Sequence, residues 1–235
     1  MRSCERRNEL AFAREGSPEI EPVVLVVDGE LQDRELFERL IGSAGFKVQT
    51  FGSAGEFLLS PRPDGPACLV LEVLLPGLSG LDLQRELARR GVEIPIIFVT
   101  GHGDIPTAVQ AMKAGAFEFL TKPCRAALLE AIRTALERDR AARKAEADLD
   151  QFQQRYQSLT PSERKVMAGV VSGLLNKEIA VQNDISEKTV KFHRGHVMRK
   201  MQARSPADLV RMAAQCGLLD QSPAAFRWLG TTNAE

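Results

Sequence analysis

The chain of 235 residues balances 31 Lys and Arg against 31 Asp and Glu, so its formal net charge at neutral pH is zero. That length suffices for one large or two modest domains with cores of their own. No apolar run approaches the roughly 18 residues of a membrane span. The cysteines Cys4, Cys68, Cys124 and Cys216 lie far apart without a C-x-x-C pair, which excludes a disulfide framework or a zinc site as the organising principle.

The charge balance is uneven along the chain. Residues 23–122 hold nine basic against thirteen acidic residues, and residues 159–220 hold ten against six. Within 186–204 there are six basic residues and one acid. An acidic half joined to a basic half points to a polyanionic partner for the second half. Residues 1–22, "MRSCERRNELAFAREGSPEIEP", carry charges throughout and no apolar h-region, so they are read as a tail and not a secretory signal. The expectation is a soluble, cytoplasmic protein.

From residue 23 strands and helices alternate. "VVLVV" is a β-branched run of the kind buried on both faces of a parallel sheet. A helix follows, with Leu31, Leu36, Phe37, Leu40 and Ile41 at helical spacing and Gly42 and Gly45 near its end. "FKVQTF" alternates as a strand, and "SAGEFLLS" opens with Ser53 as an N-cap. "CLVLE" is a buried strand with Cys68 in the core, and "LDLQRELARRG" is an amphipathic helix closed by Gly91. "IPIIFVT", then a helix capped by Asp104 and ended near Gly115, then "AFEFLTKP" complete five strand–helix alternations. That pattern predicts a five-stranded doubly wound parallel sheet. Its working site should lie beyond the carboxyl ends of the strands, where Asp28, Glu72, Thr100 and Lys122 fall.

Residues 125–157 lack Gly and Pro and read as the last helix of this domain running on into a helical linker. Leu128, Leu129, Ile132 and Leu136 form a stripe expected to pack on the domain's own sheet, with pairing to a second copy as the other reading. The remainder is all helix. "TPSERKVMAGVVSG" has the capping box of Thr160 and Glu163 with Pro161 at the first position. "NKEIAVQN", the turn "DIS" and "EKTVKFHRGHVMRKMQ" capped by Ser186 make a helix-turn-helix with a basic second helix. "SPADLVRMAAQCG" closes the region at Gly217.

A carboxylate at the end of a parallel strand, as Glu72 is, acts as a nucleophile toward phosphoryl groups, as a metal ligand, or as a satisfied structural acid. A lysine, a hydroxyl and a second acid at neighbouring strand ends suit phosphoryl transfer, with charge neutralised by a divalent ion. The motifs "VVLVVDGE", "CLVLEVLLPGLSG", "IPIIFVTGHGD" and "AVQAMKAGAFEFLTKP" resemble the receiver domain of two-component response regulators. "TPSERKVMAGVVSGLLNKEIA" with "ISEKTVKFHRGHVMRKM" resembles the LuxR-type helix-turn-helix. Together, over about residues 23–216, they are similar to the FixJ/NarL family, in particular its FixJ-type members.

The resemblance implies a flavodoxin-like α/β receiver (23–136), a helical linker (137–158), an all-α LuxR-type DNA-binding domain (159–219) and a C-terminal tail (220–235). It places Glu72 where the family has its phospho-accepting aspartate, with Pro76 and Gly80 at the family's spacing after it. It assigns Thr100 as the switch hydroxyl, Phe119 as the switch aromatic, and Lys122 as the phosphate-binding lysine before a cis Pro123. Asp28 matches the first of the family's two adjacent acids, and Gly29 stands where the second, a principal metal ligand, is expected. Glu30 would have to reach back to replace it. A glutamate displaces its carboxylate by roughly 1.5 Å from the aspartate position, and in-line transfer is sensitive to shifts of about 1 Å. The missing acid weakens Mg²⁺ binding, so no cofactor is expected. The sequence thus predicts a degenerate receiver that works without phosphorylation. Glu72 then either mimics a phosphoryl group or pairs with Lys122 as compensation. Phosphorylation on Glu72 or another acid remains an alternative, and so does an interaction module with weakened DNA binding.

For the second half, the resemblance places Lys191, Phe192 and Gly195 at positions that enter the major groove. Lys188, Thr189 and Arg194 are read as phosphate contacts, and Phe192 as a contact to a thymine methyl or, alternatively, partial core packing. Val190, Val197 and Met201 are predicted core by spacing, and His193 and His196 packing or phosphate contacts. Asn183 and Asp184 replace the family's usual Leu and Gly. They need a hydrogen-bond partner and a positive φ respectively. The apolar face Leu209, Val210, Met212 and Ala213 is expected at a dimer contact. The predicted partners are double-stranded DNA, a second copy of the chain, and a sensor kinase or other protein. No motif of an independent enzyme appears.

Overall fold

The computed structural model describes residues 20–216. Two compact units divide the chain between Ala141 and Ala142. In the first, strands β1 (Val23–Val27), β2 (Lys47–Phe51), β3 (Ala67–Leu71), β4 (Ile96–Thr100) and β5 (Glu118–Thr121) form one sheet of order β2-β1-β3-β4-β5. Every pairing is parallel. The three central strands are buried along their whole length, which is why they read as unbroken apolar runs, while the edge strands β2 and β5 are partly exposed.

Period-two alternation assigns the side chains to two faces. Val23, Leu25 and Val27 join one core with Leu69, Leu71 and Phe98, whereas Val24 and Val26 join the other with Cys68, Val70, Ile97 and Val99. The first face is covered by α2 (Ala54–Leu59), α3 (Gly80–Arg89) and α4 (Ile105–Lys113) through Phe57, Leu83, Leu87 and Ala111. The second is covered by α1 (Leu31–Ser43) through Phe37 and Ile41, and by the start of α5 (Arg125–Gln157) through Leu128, Ile132 and Leu136. The leucine stripe of α5 therefore packs on its own sheet. Leu31 and Leu36, although at helical spacing, stay exposed. Ser53 and Asp104 cap as expected, accepting from the N–H groups of Glu56 and Thr107.

The second unit holds α6 (Pro161–Val171), α7 (Asn176–Asn183), α8 (Glu187–Lys200) and α9 (Pro206–Gln215) around Val166, Met167, Ile179, Val190, Val197 and Met201. The capping box forms, with Thr160 and Glu163 exchanging hydrogen bonds. Asp184 adopts φ 51° and ψ 49°, the left-handed turn that asparagine and aspartate tolerate. The Asn183 amide donates to the Ile179 carbonyl at 2.8 Å, which satisfies it where an apolar residue was anticipated. Two expectations need revision. Leu209 and Ala213 of α9 are buried in this unit's own core and are not an outward face. Phe152 and Tyr156, within the stretch read as linker, are buried in the same core, and Asp139 near its start accepts from the Ala67 N–H at 2.8 Å. Gly217 and the C-terminal tail lie outside the described residues.

Candidate functional site

In the first unit the strand ends open on a cleft of about 600 Å³ lined by Asp28, Gly29, Glu30, Asp33, Glu72, Leu74, Leu75, Pro76, Gly101, His102 and Lys122. It lies where the strand order reverses around β1 and β3, the position at which open parallel sheets bind ligands. The register that pairs Val27 with Leu71 sets Asp28 and Glu72 side by side at the next step. Behind them α3 starts so close that a Cβ at Gly80 would collide with the Glu72 carbonyl oxygen, which accounts for the glycine there.

Lys122 is the centre of this cleft. Its Nζ lies 3.0 Å from Asp28 Oδ2, 3.0 Å from Glu72 Oε2 and 2.6 Å from Asp33 Oδ2. The remaining oxygens of the two inner acids are also engaged: Asp28 Oδ1 accepts from the Glu30 N–H at 2.9 Å, and Glu72 Oε1 from Val73 N–H at 2.7 Å and Leu74 N–H at 3.3 Å. Burial would lower the Lys122 pKa, but the three carboxylates overcome it and hold the ammonium above its ordinary value. Burial pushes the Asp28 carboxyl up, against the pull of the Glu30 N–H and Lys122. Both oxygens of Asp28 and of Glu72 are thus occupied by protein donors, and Gly29 supplies no carboxylate. With no acid at Gly29, this donor set offers a Mg²⁺ ion one carboxylate fewer than the paired acids of the resemblance would. Among the described residues no group of three or more His, Cys, Asp or Glu is arranged to hold a metal.

Thr100 is fully buried, and its hydroxyl accepts from the His102 N–H at 3.2 Å. Phe119 is partly buried, its ring 6.0 Å from that of Phe98. The Lys122–Pro123 bond is cis. Glu30 is exposed and contributes its backbone N–H to Asp28.

In the second unit α8 presents Lys188, Lys191, Phe192, Gly195 and Arg199 to solvent at spacings of three, four and seven residues, one continuous face. Among the described residues no acid pairs with Lys188, Lys191 or Arg199. Phe192 is 61% exposed, so its ring is not core. Thr189 is tied to its own cap, its Oγ1 2.8 Å from Ser186 Oγ, and Arg194 is half-buried with Nη1 donating to Asn176 Oδ1 at 2.6 Å. An unpaired basic face around an exposed ring is the electrostatic footprint of a nucleic-acid interface.

The model for the response regulator receiver domain matches residues 24–134, and that for bacterial regulatory proteins of the luxR family matches 157–213. Nodulation protein W of Bradyrhizobium diazoefficiens is 50% identical over 197 residues, covering 83% of this chain and 87% of that protein. The transcriptional regulatory protein FixJ of the same organism is 41% identical over 198 residues, 84% of this chain and 97% of FixJ. Among solved structures, the response regulator StyR aligns with a TM-score of 0.75 at 45% identity over 83% of this chain and 99% of StyR. The chain is a FixJ-like response regulator. It combines a receiver domain with a LuxR-type DNA-binding domain and belongs to the transcription regulators.

Within this FixJ-like protein the fold brings Asp28, Gly29, Glu30, Glu72 and Lys122 to one cleft and leaves Thr100, fully buried, outside its lining. It also groups Lys188, Lys191, Phe192 and Gly195 on one helix face. Two participants escaped the sequence reading. Asp33 sits in the first turn of α1, where no strand-end position marks it. Glu163 carries the sequence signature of a capping acid, yet it also binds Lys200 at 2.7 Å and lies 3.3 Å from His196 Nδ1. Those partners are more than thirty residues away, beyond any local motif.

Proposed function

We propose that this chain is a cytoplasmic, DNA-binding transcription regulator whose receiver works without aspartyl-type phosphorylation, its pocket acids being tied from within to Lys122. The observation that carries the reading is the triple contact of Lys122 with Asp28, Glu72 and Asp33. In-line transfer needs the attacking carboxylate oxygen within about 1 Å of its productive position. The Glu72 oxygens accept from Val73, Leu74 and Lys122, and the longer side chain sets them roughly 1.5 Å from an aspartate's position. Gly29 adds no ligand, and its Cβ position would lie 3.0 Å from Pro76 Cδ.

Of the two roles for Glu72, ion-pair compensation is favoured over mimicry. A mimic shifts populations only through contacts that differ between two states. The Thr100 hydroxyl accepts from the His102 N–H, and among the described residues no hydrogen bond joins it to Glu72. Glu72→Gln should therefore leave DNA affinity unchanged in a titration of the full chain. A weakened affinity would reinstate mimicry. Homodimerisation is part of the proposal, supported by the exposed Ile105, Val109 and Met112 at helical spacing on α4.

The deciding experiment is the intact mass of the full chain after incubation with acetyl phosphate and Mg²⁺, beside a Gly29→Asp/Glu72→Asp double variant. The expected result is an added phosphoryl mass on the variant alone. Phosphate on the wild type would make this a conventional switch with an unusual acceptor. DNA binding is checked on the same preparations by its salt dependence, which is steep when Lys and Arg neutralise phosphates.

A further inference from the structure

Phe192 is the one apolar side chain on the exposed face of α8, and it is large. A phenyl ring cannot bind a phosphate. On a basic surface it gains by touching an apolar part of a base edge, which in the major groove is the thymine methyl. To discriminate between bases the ring must also be held in place. The means of holding it lies one turn further along the helix. The His196 ring lies against Phe192 with centroids 4.3 Å apart and planes at 50°. His193 flanks it edge-on at 5.8 Å.

His196 is anchored in turn. Its Nδ1 is 3.3 Å from Glu163 Oε1 on α6. Glu163 has almost no freedom, because its side chain is 3% exposed and its Oε2 accepts from the Thr160 N–H at 2.8 Å and Lys200 Nζ at 2.7 Å. A buried carboxylate on α6 therefore stands in contact with an imidazole on α8, and the imidazole packs against a ring in solvent. Beside this pair Gly195 leaves open space, with no atom within 4 Å of its Cβ position.

We infer that His196 is a positioning residue for base reading, holding Phe192 in its recognition geometry through the Glu163 anchor. The inference rests on DNA binding through α8. Ordering an exposed side chain before binding removes part of the entropic cost of immobilising it in the interface. Discrimination, more than total affinity, should then depend on His196.

The test is selection of duplexes from a pool with a randomised core by the full chain, followed by sequencing of the bound fraction. Wild type, Phe192→Ala and His196→Asn are compared. Asparagine keeps a polar group beside Glu163 and removes the ring, and thermal melting confirms that both variants fold. The wild type should fix a thymine at one position of each half-site. Phe192→Ala should lose that preference by ~5-fold or more. His196→Asn should lose it at the same position while keeping the rest of the selected sequence. A His196→Asn consensus equal to the wild type's, or one weakened evenly at every position, overturns the inference while leaving DNA binding intact. Failure of the wild type to enrich any sequence overturns base reading by α8 and the inference with it.

Discussion

The receiver cleft and the outer face of α8 use lysine in opposite ways. Lys122 is surrounded by three carboxylates, and its charge is consumed inside the domain. Lys188 and Lys191 have no acidic partner among the described residues, and their charge remains for something outside. A satisfied charge stabilises or specifies a fold. An unsatisfied one on a surface confers a long-range field and salt-sensitive affinity. The two regions thus divide structural from functional electrostatics, and each is open to disruption in its own way.

The largest effect should come from Lys122→Met. Methionine fills similar volume and leaves Asp28 and Glu72 buried without their cation. Removing one partner of a buried ion pair costs about 3–5 kcal/mol. Urea unfolding followed on the receiver should show it at neutral pH. The deficit should shrink as pH falls, because Asp28, already raised by burial, then takes up a proton and no longer needs the ammonium. A variant as stable as wild type would mean that the cleft tolerates free carboxylates, and the internal ion pairing proposed above would lose its basis.

Glu163→Gln, next in size, carries the comparison into the second unit, where a buried acid supports a surface that acts outside. Glutamine keeps an acceptor for the Thr160 N–H but loses the charge that binds Lys200, a loss of about 1.5–3 kcal/mol. Burial would raise the Glu163 pKa, but Lys200 and Thr160 outweigh it and hold it at about 2, against an ordinary 4.5. A depressed carboxyl stabilises the fold above its unfolded pKa and loses that contribution as pH falls through the folded value. The stability gap between wild type and variant should be constant above about pH 4.5 and should close toward about pH 2. A gap that widens in acid would show that Glu163 is not ionised in the native state.

How far the sequence reveals each region follows from the range of the interactions. The sheet was legible because each strand carries its own alternation or apolar run, and the caps were legible because Ser53, Asp104, Thr160 and Ser186 bond only three residues ahead. The Glu72–Lys122 pair was legible too, since parallel topology forces strand ends together. Asp33 was not, because helical phase alone decides whether a first-turn acid faces the cleft. The Glu163–His196 contact depends on the packing of α6 against α8, which no short motif encodes. Leu209 and Ala213 misled for a related reason: an apolar helix face does not say whether its cover comes from the same chain or another copy.

The smallest effect tests whether the α8 face is shaped for a partner at the expense of its own helix. Gly195 lies in the helix interior at an exposed position, with nothing within 4 Å of where a Cβ would stand. An exposed interior glycine weakens a helix by about 0.5–1 kcal/mol relative to alanine. Gly195→Ala should therefore raise the unfolding free energy of the second unit, read from urea unfolding, by that amount, without steric cost. On DNA the sign should reverse. Lys191, Phe192 and Arg199 surround the gap, and a methyl there separates the helix backbone from the groove, so affinity should fall while stability rises. Rising stability with unchanged affinity would make the glycine neutral to recognition, and the α8 face would then bind DNA through its side chains alone, with no close approach of the backbone.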